Sequence, residues 1–184
     1  QSFEGTDAAL VAPDYLANGF LQMGAQLHGF SKWLMMLASE PERVEKFLDQ
    51  LLEFKMKLWD SYLTKVGEKL DVVCEADDLG TQRGTWISKD MYRRFVKPRQ
   101  EKLFSFIKKK ADVKVFLHSC GSVYDFIPDL IEAGVDILNP VQVSAEKMDT
   151  KNLKKEFGSD IVFWGGGIDT QNVLPHGSPK EVEE

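Results

Sequence analysis

The sequence predicts an α/β fold of parallel strands joined by crossover helices. Short apolar runs alternate with helical patterns five times over, which is the signature of strand–helix–strand crossovers. Polar and glycine-rich clusters follow the runs, at Asp77–Gln82, His118–Ser122, Asn139–Gln142 and Gly165–Gln171. In α/β proteins that edge of the sheet carries the chemistry. With 184 residues and 43% hydrophobic content, the chain is one domain or part of a larger one, with a real core. Pattern alone leaves open a doubly wound sheet and a piece of an eight-stranded barrel.

The first expected strand is "FLQMGAQ", Phe20 to Gln26, followed by a helical stretch "FSKWLMML". A long helix follows from Ser39, with Ser39 and Glu42 spaced as a capping box and Pro41 in the first turn. Val44, Phe47, Leu48, Leu51, Leu52, Leu58, Trp59, Tyr62, Leu63 and Val66 recur at helix spacing, and Gly67 reads as the stop. The second strand is Asp71–Ala76. Ser88 is a good N-cap for the next helix, which Pro98 should kink or divide. The third strand, "VKVFLH", leads through the Ser119–Ser122 loop to a helix ending at Gly134. "VDILNP" is the fourth strand, "KMDTKNLKKEF" a short helix, and "DIVFWG" the fifth strand, followed by Gly165 to Gly167.

Net charge of −6 argues against nucleic acid as a partner, because phosphate binding needs a basic face. The apolar run from Trp33 to Ala38 is far too short to cross a membrane. No signal peptide is evident, and Cys74 and Cys120 do not make a secreted disulfide framework, so the expected compartment is the cytoplasm. The chain opens at Gln1, and its closing "SPKEVEE" reads as the first turn of another helix; the expectation is a piece of a longer protein.

The words "HSCGSV", "LIEAGVDILNPVQ", "LKKEFGSDIVFWGGGIDTQ" and, less sharply, "ADDLGTQ" resemble the uroporphyrinogen decarboxylase superfamily. That group includes porphyrinogen decarboxylases and cobamide-dependent methyltransferases, and "HSCG" is similar to the methyltransferase branch. The resemblance implies the (β/α)8 TIM-barrel fold, with residues 1–184 forming one incomplete barrel domain that matches strands three to seven. It further implies zinc, a small-molecule thiol or folate acceptor, and a corrinoid carried by a partner protein. In that branch zinc activates the acceptor thiol, which then takes the methyl group from the corrinoid. Several decarboxylase features have no counterpart here: the aspartate after the second strand, the histidine after the eighth, and the arginine-rich N-terminal segment. "HGFSKWL" stands where the decarboxylases have a tyrosine.

His118 and Cys120 are the metal candidates. Residues i and i+2 of a strand point to one face, and zinc accepts imidazole nitrogen and thiolate sulfur. Two ligands are too few. The methyltransferases take another cysteine from the eighth strand, and within this chain Cys74, Glu75, Asp77, Asp78 and Asp169 all stay open as the third. The alternative is a buried, packed cysteine and a backbone-bonded histidine. Asp77, Asp78 and Asp169 are the catalytic candidates; of the adjacent pair only one should face the site, and a solvated pair or a turn is the competing reading. Asn139, Gln142 and His28 are the substrate-binding candidates, against tying loops together for the two amides and a solvated helix face for His28.

The expected function is therefore zinc-assisted methyl transfer. Decarboxylation of uroporphyrinogen, without cofactor, is the alternative; the arginines near a predicted loop are Arg83, Arg93 and Arg94, few for a substrate rich in carboxylates. A non-catalytic barrel fragment or binding module is the third reading. Five parallel strands alone would leave two sheet edges and an apolar face open, which implies further chain or pairing with another copy.

Overall fold

The structure, a computed structural model, describes residues 7–13 and 18–183. Five parallel strands form one sheet in sequence order: β1 Val11–Ala12, β2 Val72–Ala76, β3 Lys114–His118, β4 Ile137–Asn139 and β5 Val162–Phe163. Helices α1 Phe20–His28, α2 Phe30–Ser39 and α3 Pro41–Val66 connect β1 to β2. The β2–β3 crossover holds α4 Lys89–Met91, a wide turn of π-helix over Tyr92–Val96, and α5 Lys97–Lys110. Helices α6 Ile127–Ala133 and α7 Thr150–Phe157 make the next two crossovers, and α8 Val173–His176 and α9 Pro179–Glu183 follow β5. Among the described residues no helix is long and apolar enough to cross a membrane.

Four of the five expected strands stand where the pattern put them, and the first does not. Phe20–Gln26 is helix α1, and the true first strand is the two-residue Val11–Ala12. Phe20, Leu21 and Gly24 are its buried residues, a helical stripe and not an alternating one. The helix is held by a distant cap: the Asp77 carboxylate accepts the N–H groups of Leu21 and Gln22 at 3.0 and 2.9 Å. Gly24 lies flat on Trp33, where an added Cβ would stand 2.1 Å from the indole ring.

The capping box at Ser39 and Glu42 is also corrected. Ser39 closes α2, its hydroxyl donating to the Met35 carbonyl, and Glu40 is the N-cap of α3, with Pro41 in the first turn as expected. Ser88 does cap α4, accepting the Met91 N–H at 3.2 Å. The break expected at Pro98 falls just before it, in the π turn. Gly134 ends α6 in the left-handed conformation, at φ 99°.

One face of the sheet is covered by helices. In β3, Val115 and Leu117 are fully buried, while Phe116 and His118 on the opposite face are only half-buried. Farther along, Val162 and Trp164 are more than half exposed. The core therefore lies between the sheet and α1–α7, and the other face, where the candidate ligands project, stays open.

Candidate metal centre

Strand register brings the site together. Ala76 pairs with His118, and His118 pairs with Asn139, so β2, β3 and β4 end level with one another. The ladder runs one step past the strands: Asp77 N–H donates to the His118 carbonyl at 2.9 Å, and Ser119 N–H to the Asn139 carbonyl at 2.8 Å. The two loops that follow then pack backbone to backbone. Ser122 N–H donates to the Thr81 carbonyl at 2.7 Å, and the Ser119 hydroxyl accepts from Leu79 N–H at 3.0 Å. Gly121, at φ 83°, permits this approach; a Cβ there would stand 2.4 Å from the Gly80 carbonyl carbon.

In that corner Asp78, His118 and Cys120 each offer one ligand atom, and the three atoms lie within 4.8 Å of one another. Cys120 Sγ is 3.4 Å from His118 Nε2, and Asp78 Oδ1 is 3.9 Å from the same nitrogen. All three residues are half-buried, so an ion can reach them from solvent. Asp78 is itself held: Oδ1 accepts Cys120 N–H at 2.9 Å and Oδ2 accepts Gln22 Nε2 at 3.3 Å. A carboxylate has about four acceptor sites, so these bonds leave lone pairs for an ion. Burial, and then the Asp78 charge and hydrogen bond, push the Cys120 thiol up from its ordinary value. The thiol thus keeps its proton at neutral pH until a cation displaces it.

Behind the cluster, His118 Nδ1 lies 2.7 Å from Asn139 Oδ1, and Asn139 Nδ2 donates to the Trp164 carbonyl at 2.8 Å. Gln142 Oε1 accepts Gly121 N–H at 2.9 Å, fastening the β4 loop to the β3 loop.

The other sequence candidates lie elsewhere. Asp77 is buried on the α1 side of β2, and its carboxyl is pushed up to about 7 by burial, against the pull of the Gln22 and Leu21 N–H groups and the Lys55 charge. Asp169 folds back on its own loop, accepting the Asn172 amide and then the Gln171 and Asn172 N–H groups, which hold it below the usual carboxylate range. His28 stacks on Trp33 at 5.3 Å, with Nδ1 3.1 Å from the Gly24 carbonyl. Glu75 is buried against Lys55 Nζ at 2.8 Å and Trp59 Nε1 at 2.6 Å. Among the described residues, Asp78 is the acid that joins His118 and Cys120. Sequence reasoning missed Gln22, the residue that steadies Asp78; reading its segment as a strand hid the helical turn that presents it.

Residues 10–184 match the family model described as uroporphyrinogen decarboxylase (URO-D). The chain belongs to the uroporphyrinogen decarboxylase family. A solved structure, a methyltransferase from Methanosarcina mazei, matches with a TM-score of 0.66 at 20% sequence identity. The match covers 94% of this chain and 47% of that one, so the chain spans less than half the length of the methyltransferase. At that identity the likeness establishes the fold: the five parallel strands are part of the TIM barrel of the uroporphyrinogen decarboxylase family. The resemblance read from "HSCGSV" and its companion words is thereby borne out at the level of family and fold. No curated protein sequence matches the chain.

Proposed function

We propose that this chain supplies the metal centre of a methyltransferase, with Asp78, His118 and Cys120 holding a zinc ion. The observation that carries the reading is the convergence of a carboxylate, an imidazole and a thiol within 4.8 Å at the open ends of β2 and β3. Nitrogen, sulfur and oxygen ligands are the zinc donor set, and three protein ligands with one open position are the catalytic arrangement. When bound, zinc would supply Lewis-acid activation of a thiol or folate acceptor, with the methyl group coming from a corrinoid on a partner protein. His118 would present Nε2 to the ion. Cys120 would release its proton on binding, and Asp78, 2.9 Å from the Cys120 N–H, holds the loop in place while its free lone pairs complete the set.

Family membership favours a second reading, the metal-free decarboxylation of uroporphyrinogen. That substrate's carboxylates need free cations. Arg93 and Arg94 are instead engaged by Asp129 and Glu45, which leaves Arg83, in the loop after β2, of the three arginines read from the sequence, too few for a substrate rich in carboxylates.

Cobalt titration followed by visible absorption tests the proposal, because thiolate–cobalt bands report Cys120 directly. The expected result is about one ion per chain, competed by zinc, with loss of the thiolate band in Cys120→Ser and weakened binding in His118→Ala and Asp78→Asn. Binding unchanged in all three variants, or turnover of uroporphyrinogen by chelator-treated protein, would transfer the site to the second reading.

A further inference from the structure

The three-strand relay behind His118 has a defined chemical polarity. The Trp164 carbonyl can only accept a hydrogen bond, so the Asn139 group facing it at 2.8 Å is the NH2. The amide oxygen therefore faces His118, at 2.7 Å from Nδ1. That oxygen can only accept, so in the neutral ring the proton sits on Nδ1. The lone pair is left on Nε2, the nitrogen 3.4 Å from Cys120 Sγ.

The backbone fixes each end of this relay. His118 and Asn139 are register partners in neighbouring strands, and Trp164 N–H donates to the Leu138 carbonyl at 2.9 Å. Gly165, at φ 131°, lets β5 leave against β4: a Cβ there would stand 1.8 Å from the Pro140 carbonyl oxygen. The first glycine of the triplet thus sets how near the Trp164 carbonyl comes to Asn139.

We infer that Asn139 is a positioning residue that locks His118 in the Nδ1–H tautomer and aims Nε2 at the Asp78–Cys120 corner, rather than a group that binds substrate. The inference deepens the metal reading above, since a histidine ligand is oriented and made more basic by the partner of its other nitrogen. Its core, the tautomer, is a property of the metal-free protein and is measurable there.

The test is nitrogen-15 NMR of histidine-labelled, chelator-treated protein at about pH 8, above the usual histidine range, with the His118 signals assigned from His118→Gln. The expected spectrum shows a protonated Nδ1 and an unprotonated Nε2. Asn139→Leu, which removes the acceptor, is expected to release the ring to a tautomer mixture and to weaken cobalt binding by about 10–100-fold. Asn139→Gln, which keeps both the amide acceptor and the NH2 donor, is expected to retain more of the Nδ1–H form and to bind cobalt more tightly than Asn139→Leu. Should Asn139→Leu not fold, Asn139→Ser, too short to reach Nδ1, gives the same comparison. A parent protein protonated at Nε2 overturns the inference. So does a variant that loses cobalt affinity with its tautomer unaltered, because the role of Asn139 is then structural. If no form binds cobalt, the metal reading fails, and the tautomer comparison still decides the role of Asn139.

Discussion

Asp129 offers the sharpest test of how the scaffold around the site is held. It sits in the first turn of α6, with its side chain only 1% exposed, and it gathers three cations. Lys97 Nζ lies at 2.8 Å, Arg93 Nε donates to both oxygens at 2.9 and 3.1 Å, and Lys89 stands at 3.6 Å. Asp129→Asn removes the charge and keeps the shape. The Lys97 contact is the best shielded, Lys97 being 13% exposed, and a hydrogen bond to a charged group there is worth about 1.5–3 kcal/mol. Arg93 is 51% exposed, so solvent screening reduces its share to about 0–1 kcal/mol, and half-exposed Lys89 adds nothing that can be resolved. The expected loss at neutral pH is therefore about 1.5–4 kcal/mol. Burial alone would raise the Asp129 carboxyl, but the hydrogen bonds and charges of Lys97 and Arg93 outweigh it and hold the group below its ordinary value of 3.8. A carboxyl depressed in the folded state contributes stability above its unfolded pKa and loses it as pH falls through the folded one. Urea unfolding followed by tryptophan fluorescence should thus show a constant gap between parent and variant from about pH 8 to about pH 5, closing below about pH 4. A gap under about 0.5 kcal/mol at neutral pH, or one that widens in acid, would refute this account of the ion cluster.

Two further perturbations test how α1 is anchored. Asp77→Ala leaves the N–H groups of Leu21 and Gln22 without their acceptor and should cost about 1–3 kcal/mol, with hydrogen exchange at those two amides accelerated first; unchanged protection there would show that the cap is not what holds the helix. Gly24→Ala drives a methyl into the buried Trp33 ring and should destabilise by about 1–3 kcal/mol, despite alanine's better helix propensity; a more stable variant in thermal unfolding would mean that α1 and α2 do not meet as described.

What was legible in the chain, and what was not, follows from the range of the interactions involved. β3 and its His118–x–Cys120 exit were readable because both signals are local: "VFL" is an unbroken apolar run that ends at a histidine, and a strand's period of two puts the imidazole and the sulfur on one side. Helix α1 was not readable, because seven residues containing a glycine satisfy either period, and its cap comes from an aspartate 56 positions away. The third candidate ligand was left open among five residues for the same reason. Choosing Asp78 over Asp77 requires knowing that Asp77 continues the β2–β3 ladder and turns its carboxylate toward α1, so that the next residue swings to the corner. Asn139 was marked as polar at the correct strand end. Which way its amide points depends on a carbonyl 25 residues later, and that carbonyl's position depends on a glycine beside it. The donor chemistry is thus written in single residues, whereas the convergence that makes it a candidate centre belongs to the register of three strands. A slip of one residue between β2 and β3 would keep every candidate ligand in the sequence and turn Asp78 to the opposite face from His118.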